Sequence, residues 1–486
     1  MIKKVLFGIA ALSMPVVLAA AQPNIILFVI DDLGYADMSF LPFAAEDVQT
    51  PGIDRIAAKG TYFSNAYATA PICSPARAGL ATGRYQQRWG NNWYGKGGLP
   101  ATETTIAMEL KELGYHSKKI GKNHMNNQKG DISHPLKHGF DEFFGFSDHT
   151  WDYRQLTHAA KNKAAHRGPL ERNGEMVEFK DAYTTELFTD EAVEFIHRDF
   201  KGKPFFLHLS YNAVHHPVYV GHPKYEKKFG LKPFPQYDPS MGNYKKNWHS
   251  KWGRGKGHDP DLRKRYLATL ACLDDGIAKI LDTLQQQGLE KNTVIVFISD
   301  NGGAPYTMAN NGPLKGNKYC EAEGGCRIPF LFSWPGHHEK KQSLPSLVST
   351  MDIYPTLVEL AGGRPHDKLD GKTILPLVKG EKSGDNHDYL IFSRGNRTKD
   401  YVVRSGDYKL RNCTSSRLFT VGEHYRYDDV QGDFLYNLKN DLGEQNNLYS
   451  SMPEKAGQMK KMFDQWCEQT LPAPKSKKPR NGGHKN

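Results

Sequence analysis

Beyond its first twenty residues the chain has no run approaching 18 apolar residues, so no later segment is long enough to cross a bilayer as a helix. Cysteine is scarce: six in 486 residues excludes a small disulfide scaffold. No internal repeat is evident. Hydrophobic residues at 38%, aromatics at 11% and charged residues at 24% exclude a disordered chain, a collagen-like fibre and a polytopic membrane protein. The length fits one large domain with a smaller one, or two to three medium domains.

The beginning reads as an address rather than as fold. Lys3 and Lys4 form a basic region, Val5 to Leu18 is apolar, and Ala19-Ala20-Ala21 offers a cleavage site before Gln22. Residues 1–21 are expected to be a secretory signal peptide, and the mature chain to be exported, periplasmic or secreted, with no stable membrane insertion.

The net charge of +11 is unevenly spread. Lys3 and Lys4 carry +2, the tail 471–486 carries +5, and the stretch His222 to Lys256 carries +7, which leaves −3 for the rest. The fold itself is therefore not basic, and nucleic acid is not expected as a partner. The tail is expected to be a solvated, disordered end. In the His222–Lys256 stretch, Tyr225, Phe229, Phe234, Tyr237, Tyr244, Trp248 and Trp252 interleave with the lysines. Cations beside flat apolar faces suit an anionic carbohydrate, although an ordinary surface insertion has the same composition.

Asn24–Ile30, Pro204–Ser210, Thr293–Ser299 and Pro329–Ser333 read as buried parallel strands. Helical spacing of apolar residues lies between them, over Thr105–Leu113, Tyr183–Arg198 and Asp261–Gln287. This alternation predicts an α/β domain over 22–380, with a large, mostly parallel sheet sandwiched by helices. After a Gly- and charge-rich stretch, Lys379–His387, come Tyr389–Ser393, Tyr401–Arg404, Tyr408–Arg411 and Phe434–Leu438, then a helix from Pro453 to Gln469. Residues 381–470 thus read as a smaller antiparallel sheet with one helix, packed on the main domain.

Ligands of open α/β sheets bind beyond the carboxyl ends of the strands. Asp31 and Asp32 follow the first strand, Asp300 and Asn301 the third, and His215 and His216 the second, while Tyr115–Ile120 leads into Gly121, Lys122, Asn123 and His124. Three carboxylates and an amide brought together would need a hard cation, and all-oxygen ligands favour Ca²⁺ or Mg²⁺ over zinc. Cys73 lies in Pro71-Ile-Cys-Ser-Pro-Ala-Arg77, where Ser74 as N-cap and Pro75 at the first helical position predict a helix running towards Tyr85. Cys73 would then sit at the positive helix end with Arg77 one turn on, a ready anion site. A cysteine phosphatase needs arginine six residues after the cysteine, and that position is Gly79.

Cys73-Ser-Pro-Ala-Arg77 resembles the C-x-P-x-R signature of the type I, formylglycine-dependent sulfatases of the alkaline phosphatase-like superfamily. Further blocks match in order: Asp31-Asp32-Leu-Gly34, Gly121-Lys122-Asn123-His124, His138-Gly-Phe-Asp-Glu-Phe-Phe-Gly145, Ala213-Val-His215-His-Pro217, Ser299-Asp-Asn-Gly-Gly303, Gly316-Asn-Lys318, Glu323-Gly-Gly-Cys-Arg327 and Glu444-Gln-Asn-Asn-Leu448. The resemblance implies a sulfuric ester hydrolase. It implies that a maturing enzyme oxidises Cys73 to Cα-formylglycine, whose hydrated gem-diol attacks sulfur and then expels sulfate by re-forming the aldehyde. Asp31, Asp32, Asp300 and Asn301 would bind Ca²⁺, in preference to Mg²⁺, together with residue 73. Arg77 would stabilise the ionised diol, Lys122 and Lys318 would hold sulfate oxygens, His124 would be the base for sulfate release, and His215 would donate to the leaving oxygen with Lys318. His216 would be structural or substrate-facing.

Some positions depart from the family pattern. Asn123 replaces the usual aromatic residue, which is expected to alter a pocket wall, and Lys315 stands where arginine is common. Cys320 could pair with Cys326, and Cys413 with Cys467; with Cys73 set apart the count is odd, which leaves a free thiol such as Cys272. Arg88–Tyr94, His149–Arg154 and the basic aromatic insertion are the candidate substrate loops, expected to face a sulfated polysaccharide or its oligosaccharides. A phosphodiester or phosphonate monoester hydrolase with the same nucleophile is the first alternative, and a catalytically dead binder of anionic glycans the second.

Overall fold

In a computed structural model the chain is described over residues 22–93, 97–125, 133–147, 153–154, 170–234, 259–338, 341–414 and 431–473. The expected signal peptide, the tail from 474 and residues 235–258 of the basic aromatic stretch lie outside the described residues.

The apolar runs form the middle of a ten-stranded sheet. Its strands are β1 (Asn24–Ile30), β2 (Gly60–Tyr67), β3 (His116–Lys122), β4 (Glu142–Phe146), β5 (Glu171–Arg172), β6 (Glu175–Met176), β7 (Phe205–Tyr211), β8 (Thr293–Ser299), β9 (Phe330–Ser333) and β10 (Gln342–Ser349). Their spatial order is β10-β2-β9-β8-β1-β7-β3-β4-β5-β6. β8, β1, β7, β3 and β4 run parallel, each to the next. β9 is antiparallel to both β2 and β8, which corrects the parallel reading of Pro329–Ser333. Its four buried residues signal coverage on both faces, and coverage carries no information about strand direction.

Every residue of β1 is buried, and alternation divides them between two cores. Ile26, Phe28 and Ile30 join one core, which includes Phe188, Phe195 and Ile277 from the helices Thr184–Ile196 and Leu262–Gln286. Ile25, Leu27 and Val29 join the other, with Ala76 and Leu80 of the helix Cys73–Thr82 and Leu357 of the helix Ile353–Leu360. Helices therefore cover both faces. Of the expected helices, Thr105–Leu113 is realised as Ile106–Glu112, with the Thr105 side chain accepting from Met108 N at 3.3 Å.

The second sheet is an antiparallel meander of β11 (Leu390–Ser393), β12 (Tyr401–Ser405), β13 (Tyr408–Cys413) and β14 (Gly432–Asn437). The helix Pro453–Thr470 packs on it, and Tyr401 stacks on Phe463 with centroids 3.8 Å apart. Tyr67 and Tyr85 of the main domain share this third core, so the smaller sheet is docked through apolar contact as well as charge.

Candidate active site

Four adjacent parallel strands end together. Ile30 pairs with Ser299 on one side and Tyr211 on the other, and Gly121 pairs with Ser210. Residues just beyond β8, β1, β7 and β3 are therefore delivered to one edge, and this register is why positions nearly 300 apart in sequence meet. Gly302 permits the closure: a Cβ there would lie 1.8 Å from Gly324 O.

Asp31, Asp32, Asp300 and Asn301 form one buried cluster. Asp32 N donates to Asp300 Oδ1 at 3.2 Å, and Asn301 Nδ2 donates to Asp32 Oδ1 at 2.7 Å and to Gly302 O at 2.9 Å. Because both partners of Nδ2 only accept, the amide orientation is set and Oδ1 is left without a donor. Asp31 Oδ1 and Asn301 Oδ1 are buried and accept no hydrogen bond. Ligand atoms of Asp31, Cys73 and Asp300 lie within 4.8 Å of one another, as do those of Asp31, Asp32 and His215. Buried acceptor oxygens without donors, grouped with carboxylates, fit a hard divalent cation.

Three cations oppose the three carboxylates. Lys122 Nζ lies 2.5 Å from Asp31 Oδ2, and Lys318 Nζ 2.7 Å from Asp32 Oδ2. Arg77 Nε donates to Asp300 Oδ2 at 2.9 Å, and its Nη1 to Ser210 Oγ at 2.5 Å and to Lys122 O at 3.2 Å. Burial pushes the Asp31 carboxyl up, but Lys122, Arg77 and Lys318 outweigh it and the net shift is downward. Burial raises Asp32, with Asp31 adding to it, and raises Asp300 to about 6. The cation charges balance the carboxylates, so a divalent ion would make the site positive, as an anionic substrate requires.

The helix Cys73–Thr82 begins one residue before the expected Ser74 cap. Ile72 is the N-cap, its carbonyl accepting from Ala76 N at 3.2 Å, and no side chain caps the turn. Pro75 is tolerated because it still falls in the first turn, whose N–H groups have no helical partner. The helix stops at Thr82 rather than near Tyr85, with Gly83 in the left-handed conformation. Burial pushes the Cys73 thiol up, which works against chemistry by an unmodified thiolate. All six cysteines are buried and none is joined in a disulfide, so neither suggested pairing is formed.

His215 Nδ1 is 2.7 Å from His216 O, a pure acceptor, so Nδ1 carries a proton and Nε2 faces Asp32 Oδ2 at 3.6 Å. His124 is buried just past β3, its N–H on Ser147 O at 3.2 Å. Asp32, His124 and Tyr319 are non-glycine residues with φ of 63°, 48° and 75°. Such backbone persists only where surrounding contacts enforce it, and functional sites are where it concentrates.

Several residues of the expected substrate loops are held by contacts within the fold. Asn123 is wholly buried, accepting from Lys119 Nζ at 2.9 Å and donating to Ser133 O at 2.9 Å, and with Met125, His138 and His208 it lines a small cavity. Arg88 is tied to Asp370 at 2.5 and 2.9 Å and to Gln469 O at 2.8 Å. Tyr153 donates inward to Asn212 O and His215 O, and Tyr225 and Phe234 belong to the core. Tyr94, 148–152 and 235–258 lie outside the described residues.

The Lys318 loop is held from the smaller sheet. Lys318 N donates to Gly303 O at 3.1 Å, Gly324 N to Lys315 O at 2.8 Å, and Lys315 Nζ to Glu444 O at 3.1 Å. Lys409 of β13 lies 3.0 Å from Glu323 Oε1 and 2.9 Å from Glu444 Oε1. Tyr67 OH donates to Glu323 Oε2 at 2.7 Å and accepts from Arg404 Nε at 2.9 Å. Ser210, Tyr306, Tyr319 and this buried network were not visible in the sequence, because nothing local marks them and only the fold brings them to the site.

The sheet and the site at its edge define a sulfuric ester hydrolase with the alkaline phosphatase-like fold. The chain belongs to the sulfatase family: the "Sulfatase" family profile matches residues 23–363, and the "N-sulphoglucosamine sulphohydrolase, C-terminal" profile matches 317–470. It is 31% identical over 490 residues to N-acetylgalactosamine-6-sulfatase of Mus musculus, covering 91% of this chain and 85% of the relative. It is 35% identical over 390 residues to the Homo sapiens protein of that name, covering 74% and 66%. Among solved structures it is similar to Ps i-CgsB in complex with k-i-k-neocarrahexaose, at TM-score 0.73 and 30% identity, covering 93% and 94%. Phosphonate monoester hydrolase of Agrobacterium radiobacter shares the fold, at TM-score 0.64 and 20% identity, covering 93% and 96%.

Proposed function

We propose that this sulfatase removes sulfate from a sulfated polysaccharide or its oligosaccharides, after a maturing enzyme has converted Cys73 to Cα-formylglycine in an exported, periplasmic or secreted chain. The observation that carries the reading is the meeting of Asp31, Asp32, Asp300 and Asn301 beside Cys73, with two buried oxygens that accept nothing. Asp31, Asp32, Asp300 and Asn301 would hold Ca²⁺, in preference to Mg²⁺. Such an ion, beside the aldehyde hydrate of residue 73, supplies an activated oxygen nucleophile and a clamp for the sulfate anion.

The chain's own groups do the rest. Arg77 fixes the signature helix against Asp300 and places positive charge beneath residue 73. Lys122 and Lys318 flank the carboxylates and are the cations available to sulfate oxygens. His215 Nε2 and Lys318 Nζ both face Asp32 Oδ2, so they are the groups placed to give a proton to the leaving oxygen. His215 would do so only as imidazolium, because its Nδ1 proton is engaged with His216 O, and burial beside Lys318 and Lys122 pushes that imidazolium well down, whereas the Asp32 carboxylate outweighs burial and keeps Lys318 charged. His124 remains the proposed base for sulfate release. Among the described residues no helix is long and apolar enough to cross a membrane.

The carbohydrate class draws support from the relatives, named for N-acetylgalactosamine 6-sulfate and crystallised with a neocarrahexaose. The test is sulfate release from a panel of defined sulfated oligosaccharides, containing galactosamine 6-sulfate and carrageenan members, beside p-nitrophenyl sulfate and a phosphodiester analogue. The reading expects turnover of at least one glycan and little phosphodiester cleavage; preference for the phosphodiester would reverse it.

A further inference from the structure

Two tyrosines stand beside the cluster without any part in the chemistry proposed above. Tyr319 follows Lys318 directly, and its ring centroid is 5.4 Å from Lys318 Nζ. Its backbone is held in the left-handed region, φ 75°, with its N–H donating to Pro71 O at 2.7 Å, two residues before Cys73. Tyr306, from the loop after β8, has its hydroxyl 3.3 Å from that of Tyr319, with the two rings tilted by 33° at 6.5 Å. The rings of His215 and His216 meet Tyr306 edge-on at 6.4 and 6.0 Å. Tyr306, Tyr319 and His216 are only partly buried, unlike Asp32, Lys318 and His215 behind them.

The cluster thus has a charged floor and an aromatic side wall. A sulfate ester that places its sulfur among Lys122, Lys318 and residue 73 must project its alcohol outward, past the pair Lys318–His215. The wall flanks that pair. It offers flat apolar faces next to two phenol hydroxyls, a combination that suits a ring with an apolar C–H face and a polar hydroxyl edge. A backbone strained at a partly buried aromatic, and anchored to the signature segment, indicates that the ring position is enforced by its surroundings.

Resting on the glycan reading above, we propose that Tyr319 and Tyr306, backed by His216, form the platform for the pyranose that carries the scissile sulfate. The sugar's C–H face packs on Tyr319, and the phenol hydroxyls bond to its ring hydroxyls. These residues set specificity for the leaving alcohol, and the sulfate cradle is built without them.

The experiment compares wild type with Tyr319→Ala, Tyr319→Phe and Tyr306→Phe, using one turned-over sulfated oligosaccharide and inorganic sulfate as a competitive inhibitor. Tyr319→Ala is expected to raise KM for the oligosaccharide about tenfold or more, with each Phe variant giving a smaller rise. The inhibition constant for inorganic sulfate, which probes the cradle alone and reports that the site is intact, should stay within about twofold. An unchanged oligosaccharide KM in Tyr319→Ala overturns the platform, and so does a sulfate constant that weakens in step with KM. A wild type that cleaves p-nitrophenyl sulfate but no oligosaccharide overturns the glycan reading itself, which separates the two failures.

Discussion

Arg77 and Asp300 form a buried ion pair, with Nε donating to Oδ2 at 2.9 Å, that ties the signature helix to the end of β8. The pair sets where residue 73 stands relative to Asp31 and Asp300. Neither partner is more than 3% exposed, so each depends on the other for neutralisation. Removing one charge should cost about 3–5 kcal/mol. Arg77→Ala is therefore expected to lower the denaturation midpoint substantially. Arg77→Lys keeps the charge but cannot reach Asp300, Ser210 and Lys122 O together, so it should fold and lose about 10²-fold or more in kcat. Denaturant titration and steady-state kinetics on the two variants check this, and a fully active Arg77→Lys would contradict it.

Metal removal should be visible without any assay of turnover. If the cluster binds Ca²⁺ only when folded, saturating ion at about 100 times Kd adds about 2.7 kcal/mol of stability. Thermal unfolding of chelator-treated protein should shift upward on adding Ca²⁺, and Asp32→Asn should abolish the shift. Calorimetry that detects no Ca²⁺ or Mg²⁺ binding to the wild type would remove the cation from the account.

Much of this cluster was legible from sequence because strand ends are where α/β sheets present polar groups. Asp31-Asp32 and Asp300-Asn301 each follow a long apolar run, and those runs are also the easiest strands to read. β2 and β10 were not anticipated, since Gly60–Tyr67 and Gln342–Ser349 mix polar residues with apolar ones and β10 breaks register between Leu344 and Leu347. The partners of Asn123 were hidden for a related reason. A motif position tells which residue differs from relatives, whereas which way its side chain points depends on neighbours far along the chain, here Ser133 and Lys119.

That placement of Asn123 has a consequence. Burial, with Arg77 nearby, pushes the Lys119 ammonium well down, and Asn123 Oδ1 accepts from its nitrogen. Asn123→Leu leaves Lys119 and Ser133 O without their partner and should destabilise by about 1–3 kcal/mol for each group left unpaired. Asn123→Trp removes the same two hydrogen bonds and has to fit its ring into the small cavity that Asn123 lines, so it should cost at least as much. Urea unfolding distinguishes both from the outcome expected of a residue that contacts substrate, which is altered KM at unchanged stability.

The seam between the two sheets predicts an acid-sensitive stability. Burial pushes the Glu323 carboxyl up, but Lys409, Arg327 and Arg404 outweigh it and bring it from 4.5 down to about 2. A carboxylate held below its unfolded value stabilises the fold fully above about pH 4.5, and the contribution disappears as pH falls through about 2. Glu323→Gln should therefore be less stable than wild type at neutral pH and lose less stability on acidification. Lys409→Met, which leaves Glu323 and Glu444 facing each other, should cost about 3–5 kcal/mol. Parallel unfolding titrations across this pH range test both, and curves that stay parallel for wild type and Glu323→Gln would exclude the role.

Peptide mass spectrometry of the segment around residue 73, on protein co-expressed with a sulfatase-maturing enzyme and matched to its sulfate-ester turnover, tests the central claim most directly. The account predicts the aldehyde of Cα-formylglycine at position 73 in a fraction that scales with activity, and no activity in Cys73→Ala. Full activity from protein whose residue 73 is entirely unmodified cysteine would contradict it.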